Sequence, residues 1–250
     1  MSRRILLVNP IGTDIMDQLT IDVVAPALMG DTEVECRSLG GPGVPPSPFL
    51  APAQTYTNQL LAMVAGAAGE GFDAVAICCS GDPALALAKS ISAIPVVGAN
   101  EAACRTAATI GGKVTFLQRR LPQSFVERMP TQRSDHWLRA LVASYGLADH
   151  DVEVRPVPVP EHPSYDETMA LAASAPDKLR DVVLNAMQSA ALAAGVEQSL
   201  AAAADGTRSV YFNCTFWGGL LGPVAERVPV RVLDPLIVTA KYAEHLAVVA

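Results

Sequence analysis

The sequence predicts an α/β protein made of parallel sheets covered by helices. Three observations point there. Strand-like and helix-like stretches alternate from one end to the other, the pattern of repeated strand–helix–strand units. Several strands are continuously apolar, such as "RILLV" at Arg4–Val8 and "AVAI" at Ala74–Ile77, which suits strands buried on both faces. Of the 250 residues 50% are apolar and only 17% charged, so many segments must be covered on more than one side.

Each element has a local reason. "RILLVNPIGTDIMDQL" reads as a strand, a loop with Asn9, Pro10, Gly12 and Thr13, and a helix opening near Thr13 or Asp14, both good N-caps. "TEVECRSL" (Thr32–Leu39) is a second strand. "GGPGVPPSPFLAP" (Gly40–Pro52) is too rich in Gly and Pro for an element interior, and long loops of this kind tend to be functional. The next helix sets Leu60, Leu61, Val64 and Ala68 on one face and stops at Gly69 or Gly71. "DAVAICC" is a strand, followed by a helix from about Pro83 to Ser92 and a strand in "IPVVGAN".

From Glu101 the pattern restarts. A helix leads to the strand "KVTFLQ", and a helix over roughly Gln123 to Tyr145 should break near Pro130. "DVEVRPVPVP" is a strand running into a proline-rich loop. An alanine-rich helical region covers about Tyr165 to Ala204, with a break at Ala175-Pro176. The strand "RSVYFNC", a short helix in "GGLLGPVAERV", the strand "PVRVLDP" and a terminal helix close the chain. The organisation expected is two similar lobes with a site in the cleft between them. One comprises 1–100 plus about 223–250 and carries Cys79; the other comprises about 101–222 and carries Cys214. In parallel sheets ligands sit off the carboxyl ends of strands, where both cysteines fall.

Bulk properties exclude several classes. A net charge of −7 argues against a nucleic-acid partner. No run of 18 apolar residues suggests a membrane span, and the apolar run after Arg3-Arg4 is too short for a signal peptide, so the default location is the cytoplasm. The cysteines at 36, 78, 79, 104 and 214 form no CxxC pair, and His136, His150, His162 and His245 lie far apart, so no metal site is read. Unpaired thiols in a reducing compartment are commonly small buried apolar groups. Cys78 should face away from Cys79, and Cys36, Cys78 and Cys104 read as core.

Two stretches repeat. "DAVAICCSGDPALA" (Asp73–Ala86) and "RSVYFNCTFWGGLLG" (Arg208–Gly222) both run strand, cysteine, turn, apolar helix. From Cys79 to Pro95 is 16 residues and from Cys214 to Pro229 is 15, so strand–Cys–turn–helix–[IV]-P-V occurs twice. A cysteine ahead of a helix N-terminus has its thiolate favoured by the dipole and the free N–H groups. One thiolate and one thiol on opposite faces of a bound carbon make a base and an acid. Removing a proton from one face and delivering one to the other inverts a stereocentre without a cofactor.

"CSGDPAL" from Cys79, with its Gly-Asp-Pro, resembles the first active-site motif of hydantoin racemases in the aspartate/glutamate racemase superfamily. "VNP" (Val8–Pro10), "IPVVGANEAA" (Ile94–Ala103), Asn213-Cys214-Thr215 and "VPVRVLDP" (Val228–Pro235) resemble further segments of that family, across nearly the whole chain. The sequence departs from it in Ile11-Gly12-Thr13, in Asn213 before the second cysteine, in Phe216-Trp217 after it, and in Gln118-Arg119-Arg120 where a threonine pair is common.

The resemblance implies Cys79 and Cys214 as the two acid/base groups, a small-molecule substrate such as a 5-substituted hydantoin or related cyclic amide, no cofactor, and a homo-oligomer. Asn9 could bond a ligand carbonyl or order its turn; Ser80 and Thr215 could stabilise a developing enolate or act as caps. Phe216 and Trp217 could line a side-chain pocket or belong to the core. Asp82 reads as a helix cap in preference to a residue that orients a substrate amide, and Arg119 and Arg120 as surface charges or a carboxylate site. Amino-acid racemases, maleate isomerases and arylmalonate decarboxylases of the superfamily stay open as alternatives. So does a two-lobe metabolite-binding protein with structural or redox thiols.

Overall fold

The computed structural model describes residues 2–40, 53–128, 134–160 and 163–249. Most of the Gly- and Pro-rich loop expected over Gly40–Pro52, and the break expected at Pro130, lie outside these residues. The chain forms two compact units. Unit 1 holds 1–102, 172–176 and 236–250; unit 2 holds 103–171 and 177–235.

In unit 1 the order is β1 (Arg3–Asn9), α1 (Asp17–Val24), β2 (Thr32–Ser38), α2 (Ala53–Ala67), β3 (Ala74–Ile77), α3 (Leu85–Ile91), β4 (Val96–Gly98) and the start of α4 (Ala99–Ile110). The second series runs β5 (Val114–Arg120), α5 (Gln123–Arg128), α6 (Asp135–Ser144), β6 (Val152–Pro158), α7 (Tyr165–Ser174), α8 (Pro176–Ala190), α9 (Val196–Ala204), β7 (Ser209–Phe212), α10 (Gly222–Ala225) and β8 (Arg231–Leu233), before α11 (Pro235–Val249). The helix break expected at Ala175-Pro176 is present. The first helix opens at Asp17 rather than near Thr13, because Ile15 and Met16 form a turn whose apolar side chains are buried.

Both sheets are four-stranded and parallel, ordered β2-β1-β3-β4 and β6-β5-β7-β8, so the fold is α/β and the second sheet repeats the first strand for strand. The repeat therefore extends well beyond the two cysteine segments. Its register corrects the sequence match in one place. Val97 lies beside Ala76 and Leu233 beside Tyr211, so Pro95 and Pro229 stand two and four residues before equivalent positions and are not themselves equivalent. The same pairing puts β8 in the second sheet. The return to unit 1 thus falls after Pro235, against the sequence expectation of about 223.

Ile5, Leu6, Leu7 and Val8 are fully buried, as a central strand covered on both faces requires. Each aliphatic side chain of that size contributes roughly 1.5–3 kcal/mol by leaving water. Ile5, Leu7, Ala74, Ala76 and Val97 pack with Leu236, Ala240 and Ala243 of α11. In unit 2, Leu117, Val210 and Phe212 pack with Met187, Ala190, Val196 and Trp217. A π-helical turn at Ala191–Gly195 joins α8 to α9. Gly195 sits so close to Phe212 that a Cβ there would lie 2.7 Å from its ring.

Candidate active site

Both cysteines of the repeat occupy one structural position. β3 ends at Ile77 and β7 at Phe212, and the thiol residue follows two places on. Three backbone hydrogen bonds shape each turn alike. The N–H of Cys78 donates to Val8 O at 2.8 Å, and that of Asn213 to Leu117 O at 2.9 Å. The N–H of Cys79 donates to Ile77 O at 2.9 Å, and that of Cys214 to Phe212 O at 2.8 Å. The carbonyl of Cys79 accepts from Asp82 N at 2.9 Å, and that of Cys214 from Trp217 N at 3.0 Å. Both thiol residues are half-buried and neither is in a disulfide among the described residues.

The continuations differ, and they correct the helix-dipole argument. Five residues, Ser80–Ala84, separate Cys79 from α3. Cys214 leads only into a three-residue 3₁₀ turn, Thr215–Trp217. The macrodipole acts within the first turn of a helix. Neither thiol therefore stands at the N-cap of an α-helix.

Asp82 is a cap, but of a different helix from the one expected. Its Oδ1 accepts from Asn100 N at 3.0 Å and its Oδ2 from Glu101 N at 2.9 Å, so it closes the N-terminus of α4, not of α3. To reach there the loop places Asp82 at φ +42° and Ala84 at φ +53°, the left-handed region that costs non-glycine residues energy. Gly98 makes the approach possible: a Cβ there would lie 2.5 Å from Asp82 Cγ and 2.7 Å from Leu85 Cδ2. Asn100 Nδ2 donates to the carbonyl of Ser80, tying the residue after the thiol to the same helix end. Lys89 Nζ meets buried Glu101 at 2.5 Å. Asn100 and Gly98 lay within the quoted "IPVVGANEAA" without a role; a Gly-Ala-Asn at a strand-to-helix junction was the available signal.

Gly98→Ala is expected to destabilise the protein by about 1–3 kcal/mol, the usual cost of forcing extra volume into a packed site. The carboxylate in its way is held by two N–H groups and cannot simply swing aside. Urea unfolding of the variant, with an unshifted midpoint, would contradict the close approach.

The remaining residues divide. Asn9 Nδ2 donates to Asp17 Oδ1 at 2.7 Å and to Cys36 Sγ at 3.2 Å, so its amide nitrogen orders unit 1. Asp17 also accepts from Ser38 N and Ser38 Oγ, which makes it the hub of that corner. Ser80 and Thr215 are buried beside their thiols. Phe216 is half-buried against the unit 2 core. Trp217 is wholly buried, stacks edge-on to Phe212 at 5.1 Å and donates its indole N–H to Met187 O at 2.8 Å. It has no surface left to offer a substrate, and the pocket role is corrected to a core role. Next to Cys214, Asn213 Nδ2 donates to buried Gln118 Oε1. The Oδ1 atoms of Asn100 and Asn213 are buried with no hydrogen-bond partner among the described residues. Arg120 pairs with Asp135, whereas half-buried Arg119 has no ion pair among them.

The other thiols are of a different kind. Burial, the neighbouring Cys79 and Asp17 push the Cys78 thiol up to about 12. Burial first, then Cys78 and Asp17, pushes Cys36 up as well. A thiol in the unfolded chain ionises near 8.5. The folded protein therefore holds these protons that unfolding releases, and the associated stability is intact below about pH 8.5 and lost as pH rises toward 12. The urea midpoint should fall across that window, and less steeply in Cys78→Ala; a flat profile would contradict the burial of this thiol. Cys104 is wholly buried, as read.

Comparisons with known proteins bear on the family and the fold. A hydantoin racemase of Rhizobium meliloti is 27% identical over 187 residues, covering 75% of this chain and 65% of its own length, so the chain spans just under two thirds of that relative. An allantoin racemase from Klebsiella pneumoniae has a similar structure, with TM-score 0.69 and 20% identity over 99% of this chain and 89% of its own. The allantoin racemase of Pseudomonas fluorescens gives TM-score 0.65 and 19% identity over 98% and 91%. These two likenesses establish the shared fold. The model of the Asp/Glu/Hydantoin racemase family matches residues 5–243, and the chain belongs to that family.

Proposed function

We propose that the chain is a cofactor-independent racemase or epimerase that inverts a carbon next to a carbonyl, with Cys79 and Cys214 as its acid/base pair. The observation that carries this reading is the placement of two half-buried cysteines in turns with the same three backbone hydrogen bonds. One cysteine, as thiolate, takes the proton from the carbon and becomes a thiol. The other, as thiol, gives its proton to the opposite face and becomes a thiolate. Between the two transfers the substrate is an enolate, and the buried hydroxyls of Ser80 and Thr215 are the side-chain donors beside the two thiols. Proton exchange with water resets the pair.

The substrate favoured is a 5-substituted hydantoin or a related cyclic amide. The C–H of such a ring lies next to a carbonyl and is acidic enough for a thiolate base. The likeness to hydantoin and allantoin racemases supports the same class.

Arg119 favours a second reading. A half-buried guanidinium without an ion pair among the described residues suits a carboxylate-bearing substrate, such as an amino acid. Solvent-deuterium wash-in separates the two, measured on single enantiomers of 5-substituted hydantoins, allantoin, amino acids, maleate and malonates. Exchange with inversion of the cyclic amides alone supports the first reading, and of the amino acids alone the second. No exchange with any of them would leave a metabolite-binding protein, in which a bound ligand still shields the thiols from alkylation.

A further inference from the structure

We infer that Asp82 and Asp234 are a matched pair of positioning residues, each fastening one thiol loop to the strand-to-helix junction beside it. The observation is an exchange of parts between the two units. Gly98 is the last residue of β4, and it lies beside Ile77. Asp234 follows the last residue of β8, one place beyond the Leu233–Tyr211 pair, and so occupies the equivalent position. In unit 1 the junction supplies the glycine and the thiol loop supplies the acid: the Asp82 carboxylate fills the space over Gly98 and accepts from Asn100 N and Glu101 N of α4. In unit 2 the junction supplies the acid and the loop supplies the glycine: Gly219 N donates to Asp234 Oδ2 at 2.7 Å, with Gly219 at φ +77°. Asp234 stands directly before Pro235, the first residue of α11. One carboxylate thus joins loop to helix start in each unit, delivered from opposite sides.

The fastening reaches the thiols through the backbone. Asp82 N donates to the carbonyl of Cys79, so the residue that grips α4 also closes the Cys79 turn. Gly219 follows Gly218, whose N–H donates to Thr215 O, the residue next to Cys214. Each carboxylate thus lies against the loop that carries its thiol. This rests on the reading of Cys79 and Cys214 as the reacting groups, but its test needs no substrate.

Alkylation of each cysteine by iodoacetamide, resolved by peptide mass spectrometry between about pH 6 and 10, brackets a free thiol's titration. Asp82→Ala should change the Cys79 rate by roughly threefold or more, and move its midpoint, while Cys214 keeps its profile. Asp234→Ala should do the reverse. Asp82→Asn keeps one acceptor and should fall between wild type and Asp82→Ala; it and Asp234→Asn serve if an alanine variant does not fold. A change confined to the thiol of the same unit supports each half. No change, or an equal change at both thiols, overturns that half, since general loosening would not choose between them. Local changes in a protein that racemises nothing would sink the proposed reaction and leave the fastening intact.

Discussion

Cys79→Ser and Cys214→Ser are each expected to lower racemisation by roughly 10²–10⁴-fold, the usual contribution of a positioned acid or base. Serine keeps the size and removes the proton carrier: its hydroxyl ionises far above the thiol range, so neither base nor acid is available near neutral pH. The two variants should not behave alike in deuterium exchange. If each thiol serves one face, a variant lacking one of them still removes the proton of the enantiomer that the other faces, and returns deuterium to the same side. Exchange without inversion of one enantiomer in Cys79→Ser, and of the opposite one in Cys214→Ser, would establish two bases. Loss of exchange for both enantiomers in one variant only would indicate a single base and contradict the two-thiol mechanism.

Trp217→Ala should destabilise the protein by about 3–5 kcal/mol, which is the scale of large-to-small changes at buried aromatic sites. It removes a wholly buried side chain, the edge-on contact with Phe212 and the donor to Met187 O. Against a total stability of about 5–15 kcal/mol for an ordinary protein, that is a loss of between about a fifth and all of it. Urea unfolding and activity together decide the point. A variant of unchanged midpoint but altered KM would show that Trp217 touches the substrate. Phe216→Ala is the useful contrast, because that ring is only half-buried.

The sheets were legible because parallel strands leave a plain mark. Ile5–Val8 and Ala74–Ile77 are apolar on consecutive residues, as a strand covered on both faces requires. Cys79 and Cys214 stand out as candidates because each follows a buried strand by two residues. What followed them was not legible. A loop that carries Asp82 to α4 depends on a space over Gly98, and that space arises from strand pairing across residues far apart in sequence. The local pattern could show that an aspartate near a helix start caps something; it could not show which helix. Trp217 stayed open between pocket and core for a similar reason. Its position after a cysteine suggested a pocket, while its burial is set by Phe212 and α8. The proline match failed because identical dipeptides can sit at different registers, and register is fixed by hydrogen bonds between strands.

The interleaving of the chain bears on how it is made. Unit 2 comes from one nearly continuous run, 103–171 and 177–235, while unit 1 needs 172–176 and 236–250 added to its first 102 residues. Leu236, Ala240 and Ala243 complete the core over Ile5, Leu7 and Val97. During synthesis the part begun first is therefore finished last. Its sheet waits with an uncovered apolar face while the whole second unit is translated, and that nascent interval is where a chaperone would find something to hold.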